Sequence, residues 1–120
     1  MYYSKINISV HGSSAHGSTP HLGKDAIVAA SSFILNAQAI VSRLNNPLKP
    51  LVFTVSGVNG GTQFNIITDS VQMTAYLYAE TKEDLTAMQP QLAAICESTA
   101  AALGCTAELN FGECEGGAAE

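Results

Sequence analysis

Four stretches of the chain carry the apolar pattern of β-strands. In the first, Ile6, Ile8 and Val10 alternate with polar residues, which is typical of a strand with one buried face. The second, from Leu51 to Val58, is apolar on both faces and rich in β-branched side chains, and this composition also favours a strand. The predicted strands cover residues 3–11, 51–58, 66–78 and 106–111.

A long amphipathic helix is predicted between the first two strands, over residues 25–44. Its apolar residues recur at three- and four-residue steps and form one stripe. Asp25 opens the helix, where a carboxylate suits the positive end of the helix dipole. The segment Asn45-Asn46-Pro47 ends it.

A second helix is predicted after the third strand. Thr81-x-x-Asp84 resembles a capping box at its start, and Gly104 fits its C-terminal end. Pro90 lies inside the helical pattern. Because proline removes one backbone hydrogen bond, it predicts either a kink or a later start of this helix.

The elements follow one another in the order β-α-β-β-α-β, which is the split βαβ, or ferredoxin-like, arrangement of the α+β class. Right-handed crossovers would place both helices on one face of a four-stranded antiparallel sheet. A length of 120 residues corresponds to one domain, which we assign to residues 1–112. Residues 113–120 are small and acidic, without a pattern, and we interpret them as a tail or a cut linker.

Composition narrows the classes of protein that fit. The formal net charge is −5 and the five basic residues form no cluster, so no nucleic-acid partner is expected. The sequence has no run of 18 apolar residues, so no membrane span is predicted. The polar N-terminus lacks the apolar core of a signal peptide. The three cysteines are widely spaced, and we expect free thiols in a reducing cytoplasm.

All three histidines lie in or beside one glycine-rich segment between the first strand and the first helix: His11, His16 and His21. Loops that join rigid elements often carry the chemistry of a protein. A phosphate-binding loop would need four residues between its glycines and a Ser or Thr after the lysine. Five residues separate Gly17 from Gly23 here, and Asp25 follows Lys24, so this interpretation fits poorly.

Three other interpretations of the loop stay open from the residues alone. Ser13 or Ser14 could pair with His16 as nucleophile and base, although no orienting acid adjoins them. The histidines could bind a metal, but glycine and proline between them exclude a helical face, and no carboxylate lies within the cluster. They could also be solvated polar residues without a chemical task.

A family resemblance adds a fifth interpretation. The order Val10-x-Gly12-x-x-x-His16-x-x-x-Pro20-His21-x-Gly23-x-Asp25-Ala26-Ile27 resembles the lid, or dimerisation, domain of the M20 metallopeptidases, especially the aminoacylase- and amidohydrolase-like enzymes. The order Gly60-Gly61-Thr62-x-x-Asn65-Ile66-Ile67-x-Asp69 resembles that domain's second motif. The similarity covers residues 4–111, and both motifs fall in the expected elements.

The resemblance implies a two-domain parent enzyme that hydrolyses amide bonds of N-acyl amino acids or small peptides. Its catalytic domain would hold zinc or another divalent metal such as manganese or cobalt, whereas this chain carries none of the metal-binding motifs and no cofactor of its own. His16 would reach the active site of the partner subunit and stabilise the oxyanion, and Asn65 and His21 would contact the substrate. The homodimer would form through strand 51–58 and helix 25–44. Residues 113–120 would lead towards the catalytic domain.

The chain departs from the family pattern at three places. Ser14-Ala15 replace the usual Gly-Gly, Thr68 replaces a proline, and Tyr78 replaces an arginine that holds a substrate carboxylate in the family. The alternative to an enzyme fragment is a stand-alone ferredoxin-like module that dimerises or binds a small ligand without catalysis. The isolated chain is expected to be inactive under either hypothesis.

Overall fold

The computed structural model describes residues 1–117 of the protein. The elements are β1 Tyr2–His11, a 3₁₀ turn Pro20–Leu22, α1 Ala26–Ala37, a π-helical turn Ile40–Leu44, β2 Leu51–Gly60, β3 Ser70–Ala79, α2 Lys82–Ala102, β4 Thr106–Phe111 and β5 Glu115–Gly116. The predicted α+β class and the order β-α-β-β-α-β of the main elements are confirmed.

The sheet is antiparallel and has the strand order β2-β3-β1-β4, with β5 added beside β4 along the same edge of β1. The predicted count of four strands was therefore too low. The ferredoxin-like description fits β1 to β4 only, since β5 adds a pairing between Tyr3 and Glu115 that it does not include. The physical reason is that the chain after β4 returns to the free edge of β1 instead of fraying.

Two hydrogen bonds hold the segment after β4 against β1. The hydroxyl of Ser4 donates to the carbonyl of Gly112 at 2.8 Å, and the N–H of Gly112 donates to the carbonyl of Lys5 at 2.7 Å. These bonds direct the chain into β5, Glu115–Gly116, which lies within the residues interpreted as a tail or a cut linker. Residues 118–120 of that expected tail lie outside the described residues.

Both helices cover one face of the sheet, and the core lies between these two layers. Alternate residues of β1 and β3 point into it, as the sequence pattern predicted, and α1 and α2 contact each other as well as the sheet. Ser4 is a buried polar side chain at one end of this face, and its bond to Gly112 satisfies it. The largest fully buried apolar side chains are Phe33, Ile6, Ile8, Ile40, Leu77, Leu85 and Leu92.

The first helix is shorter than predicted. Asp25 caps it, because its carboxylate accepts the N–H groups of Ile27 and Val28 at 3.0 and 3.2 Å. The α-helix ends at Ala37, and the chain resumes as the π-helical turn, in which the N–H of Asn45 donates to the carbonyl of Ile40. The single helix predicted over residues 25–44 is corrected in its last turns, where five-residue hydrogen bonds replace four-residue ones.

The second helix confirms both of its predicted ends. The N–H of Asp84 donates to the hydroxyl of Thr81 at 3.1 Å, and Gly104 takes a positive φ of 77° after the helix. The helix begins at Lys82 and continues past Pro90, so the later start is excluded. Pro90 is exposed, and the helix accommodates it on its solvent side.

Two strand boundaries differ from the prediction. β3 begins at Ser70 and not at residue 66, because residues 65–67 pair with a loop instead of with β2. β2 extends to Gly60, beyond the predicted end at Val58, and has a register shift between Val55 and Gly57.

The stretch Ala26–Leu44 is long and apolar enough to cross a membrane by length and composition alone, with a mean hydropathy of 1.4. The core helix of a globular domain can meet the same two criteria. Here Ala26, Ala30, Phe33 and Ile40 are buried against the rest of the domain. We therefore describe α1 and the π-helical turn as a core element of this fold.

The three cysteines are free thiols, as expected. Burial, helped by the negative charge of Glu97, raises the pKa of the Cys96 thiol to about 12. Burial also raises the pKa of Cys105; the Asp25 carboxylate acts in the same direction and the Lys24 ammonium group opposes it. Cys114 is exposed.

We expect a water-soluble thiol reagent to modify Cys114 fastest in the folded chain, because Cys114 is exposed whereas Cys96 and Cys105 are buried and out of reach of the reagent. Denaturation should make Cys96 and Cys105 react as well. Mass spectrometry of the labelled chain measures this. Labelling of Cys96 at the rate of Cys114 in the folded chain would contradict its burial.

Candidate functional site

The two sequence motifs lie side by side and form one unit. The N–H of Gly12 donates to the carbonyl of Asp69 at 2.8 Å, the N–H of Ile67 donates to the carbonyl of Ala15 at 2.8 Å, and the N–H of Gly17 donates to the carbonyl of Asn65 at 2.7 Å. This pairing fixes the histidine loop, residues 12–24, against the second loop, residues 61–69. It places His16 opposite Ile66.

The histidine loop also closes on itself at its base. Ser13 and Lys24 exchange two backbone hydrogen bonds, of 3.0 and 2.8 Å. Gly12 lies so close to this pair that a Cβ atom on it would be 2.0 Å from the carbonyl oxygen of Lys24. Glycine is therefore required at position 12 for the two ends of the loop to meet.

The start of α1 completes the scaffold. The N–H of Ala26 donates to the carbonyl of Thr68, and the Asp25 carboxylate accepts two N–H groups of the first helical turn. That carboxylate already occupies the position at which a phosphate would bind a helix N-terminus. The phosphate-loop interpretation is therefore excluded at this helix.

His16 is exposed, and its ring is oriented by the residue two positions later. Its Nδ1 accepts the backbone N–H of Ser18 at 3.1 Å, and the Ser18 hydroxyl lies 2.7 Å from the same nitrogen. Among residues 1–117, no hydrogen bond reaches Nε2. The serine beside His16 is thus Ser18, not the Ser13 or Ser14 considered from the sequence, and the described hydrogen bonds include no carboxylate on this pair.

The other candidate residues take different places around the loop. Asn65 is half-buried and its backbone carbonyl accepts the Gly17 N–H, while its side chain makes no hydrogen bond within the described part of the chain. His21 is exposed in the 3₁₀ turn. His11 lies at the end of β1, with Nε2 3.5 Å from a Glu108 carboxylate oxygen. The histidines therefore do not converge, and no group of three His, Cys, Asp or Glu side chains within residues 1–117 could hold a metal ion.

Tyr78 lies at the far end of the sheet from His16. It pairs with Tyr3 at the start of β1, and its ring packs 5.6 Å from that of Tyr3. His11 follows Tyr3 by eight residue steps along β1, which is about 26 Å at about 3.3 Å per residue. Tyr78, which stands where the resemblance implies an arginine, is therefore too far from His16 to contact a ligand at His16 of the same protomer.

An open polar cleft of about 380 Å³ lies beside the paired loops. Its lining residues come from both motifs and from the facing ends of β2 and β3. Gly61, with a positive φ of 102°, turns the chain at its rim. The lining residues are Ser14, Asn59, Gly60, Gly61, Thr62, Ile66, Ile67, Thr68, Asp69 and Ser70.

Sequence reasoning missed Ser18 as a partner of His16. The signal was present as the spacing His-x-Ser, because a side-chain acceptor commonly binds the backbone N–H two residues later in a turn.

The sequence model of the M20 peptidase dimerisation domain matches residues 3–103, which is most of the chain. The chain belongs to this family. Two curated relatives agree with that membership. N-acetyldiaminopimelate deacetylase of Bacillus cytotoxicus is 31% identical over 109 residues, covering 91% of this chain and 29% of the relative. IAA-amino acid hydrolase ILR1-like 2 of Arabidopsis thaliana is 39% identical over 102 residues, covering 85% and 23%.

The dimerisation domain also has the fold of a domain in solved structures of the family. A dinuclear metal binding peptidase of the M20 family from Bacillus subtilis matches 92% of this chain and 25% of its own, with a TM-score of 0.69 at 23% identity. The chain spans less than a third of the curated relatives that it matches, at 29% and 23% of their lengths.

We expect Gly12→Ala to lower the free energy of unfolding by about 1–3 kcal/mol, the usual cost of forcing extra atoms into a packed site. The matched control is Gly57→Ala, because a Cβ there meets only Thr74 at an ordinary 3.8 Å. Urea denaturation followed by circular dichroism measures both. Equal stability of the two variants would show that the Gly12–Lys24 junction tolerates a side chain.

Proposed function

We propose that the dimerisation domain is the lid of a metal-dependent amidohydrolase or peptidase that cleaves amide bonds of N-acyl amino acids or small peptides. The two curated relatives are named as a deacetylase of an N-acetylated amino acid and a hydrolase of an amino-acid conjugate. In both names an acyl group is joined to an amino acid through an amide bond. A lid of such an enzyme must present groups that recognise the amide carbonyl.

His16 is the residue that would act on the reaction. It is exposed at the tip of a loop held by backbone bonds on both sides, and its Nε2 is not bonded to any described residue. A hydrogen-bond donor at the amide carbonyl stabilises the oxyanion as it forms, and removing one such donor costs roughly 3 kcal/mol in the transition state. The free Nε2 of His16 is the observation that carries this proposal.

The position of His16 in the domain favours action on a partner subunit. β5 pairs with the start of β1, where Tyr2 lies opposite Gly116, so the segments before β1 and after β5 leave the sheet at the same end. His16 follows the other end of β1, about 30 Å away at about 3.3 Å per residue. A catalytic domain joined at the chain ends would thus lie far from its own His16, whereas a partner's could meet it.

Asn65 and His21 would contact the substrate beside His16. Asn65 is tied to the loop through the Gly17 N–H while its side-chain amide stays available, and His21 is exposed on the adjoining 3₁₀ turn. An amide group offers both donors and an acceptor, which suits an amide substrate. The polar cleft beside the loops gives the rest of the substrate room.

The homodimer would form along β2 and α1. β2 is an edge strand, and an edge with apolar side chains readily pairs with another chain. Val52 and Val58 on β2 are 47% and 57% exposed, and Leu35 on α1 is 74% exposed. Ile27 and Val58 line a groove between the helix and the strand. Val58 lies opposite the buried Met73, on the face that the helices cover, whereas Val52 lies opposite Tyr78 on the open face of the same edge strand.

The metal would be held entirely by the catalytic domain. The structural relative is described as a dinuclear metal binding peptidase. The described residues of this chain do not fit a metal site, since no three ligand-type side chains come together. We propose zinc, manganese or cobalt in the parent enzyme, where the metal would activate the attacking water. The isolated domain should therefore hydrolyse no N-acyl amino acid.

We expect the domain to be a dimer at tens of micromolar and Leu35→Glu to weaken it by at least about tenfold, because a buried carboxylate on an apolar interface loses its hydration. Leu103→Glu is the control: Leu103 is a partly exposed leucine at the opposite end of the sheet order, beside β4. Analytical ultracentrifugation measures both. A monomeric wild-type chain at that concentration would refute the interface.

In the full-length parent, His16→Ala should lower kcat by about 10²-fold with unchanged metal content, because the lost hydrogen bond matters most in the transition state. His11→Ala is the matched control, since His11 points away from the loop and contacts Glu108. Mixing His16→Ala with a variant lacking a metal ligand should restore partial activity through heterodimers. A near wild-type kcat for His16→Ala would reduce this chain to a plain dimerisation module.

A further inference from the structure

The neighbour two residues after His16 directs hydrogen bonds at one nitrogen of the imidazole ring. A backbone N–H can only donate, so the bond from the Ser18 N–H identifies Nδ1 as an acceptor. The hydroxyl of Ser18, 2.7 Å from Nδ1, can donate to the same atom. A neutral imidazole whose Nδ1 accepts must carry its proton on Nε2.

The turn that contains these atoms is fixed at several points. The N–H of Thr19 donates to the carbonyl of His16 at 2.9 Å, and the Thr19 hydroxyl donates to the same oxygen at 3.3 Å. The N–H of Gly17 is engaged by Asn65 on the other loop. The Ser18 N–H therefore points at the imidazole as a property of the folded turn.

We propose that Ser18 is a positioning residue that fixes His16 as the Nε2–H tautomer, so that its exposed nitrogen is a neutral hydrogen-bond donor. The use of that donor on a substrate carbonyl rests on the function proposed above. The tautomer itself does not, since it follows from contacts inside this domain.

The tautomer decides what chemistry the loop can perform. With the proton on Nε2, the ring donates to an oxygen that gains negative charge. With the proton on Nδ1, the same ring would turn a lone pair towards that oxygen and repel it. Because only the competent fraction of rings stabilises the oxyanion, each loss of the Nε2–H form lowers the effect in proportion.

The assignment also separates His16 from the general bases of other hydrolases. A histidine base needs an unprotonated nitrogen facing the substrate and a partner that accepts from its other N–H, commonly a carboxylate. Here the partner donates instead of accepting. The loop is therefore built for donation, and water activation must come from elsewhere.

The test is nitrogen NMR of the uniformly ¹⁵N-labelled chain, at a pH about two units above the ordinary histidine pKa of about 6.5, where imidazoles are neutral. The ring nitrogen shifts report the tautomer, and a scalar coupling between the Ser18 amide nitrogen and Nδ1 reports the hydrogen bond directly. We expect that coupling in the wild-type chain. His21, which makes no described side-chain hydrogen bond among residues 1–117, is the internal reference.

Ser18→Ala keeps the backbone N–H and removes the hydroxyl. It should raise the Nδ1–H population of His16 by about two- to tenfold, the range that one hydrogen bond corresponds to. Ser18→Thr should restore the wild-type value, and Ser14→Ala, a serine of the same loop without a bond to the ring, should leave it unchanged.

Two results would overturn the proposal: a proton on Nδ1 in the wild-type chain, or the same tautomer ratio in Ser18→Ala as in Ser14→Ala. The measurement needs no substrate and no catalytic domain. It therefore stands apart from the kcat of the parent His16→Ala variant, whose failure would refute the catalytic use of His16 but not its tautomer.

Discussion

The pairing of two loops by their backbones is the constraint on which the site depends. Three N–H groups, of Gly12, Gly17 and Ile67, find their acceptors across the gap between residues 12–17 and 65–69. Loops in a compact domain usually satisfy such groups with water, which leaves them mobile. Here the backbone groups of each loop bind those of the other, so the exposed imidazole of His16 is carried by hydrogen-bonded backbone on both sides.

Glycine lets the histidine loop close on itself at its base, and the cost is a narrow tolerance for substitution. Gly12 lets the strand end approach the Lys24 carbonyl, and Gly23 lies where a Cβ would be 2.9 Å from the side chain of Ala15. Ser14 and Ala15 stand where the resemblance to the family implies glycines. The carbonyl of Ala15 accepts the N–H of Ile67, and Ser14 lines the open cleft.

Most of the fold could be predicted from the sequence because alternation and helical periodicity directly report which face is buried. β5 could not, since two residues have no period and its pairing depends on Ser4 reaching Gly112. A serine in the inward series of β1, among isoleucines, was the available signal for that backbone partner. The π-helical turn was also hidden, because Ile40 and Leu44 continue the apolar stripe whether the bonds span four residues or five. In the site, the motifs indicated His16 and Asn65, but the spatial pairing of the loops and the Ser18 bond needed coordinates.

Because β5 pairs with the start of β1, the two segments that flank these strands leave the domain at the end opposite to His16. If a larger protein holds the domain only through the segments that flank β1 and β5, both covalent connections sit beside the Tyr2–Gly116 pair, at one end of β1. A rotation of about 10° there would move His16, about 30 Å away, by about 5 Å. A displacement of that size separates a histidine that contacts a substrate from one with water in between. Under the function proposed above, the stiffness of the few residues that flank β1 and β5 would then set how often the His16 imidazole contacts a substrate.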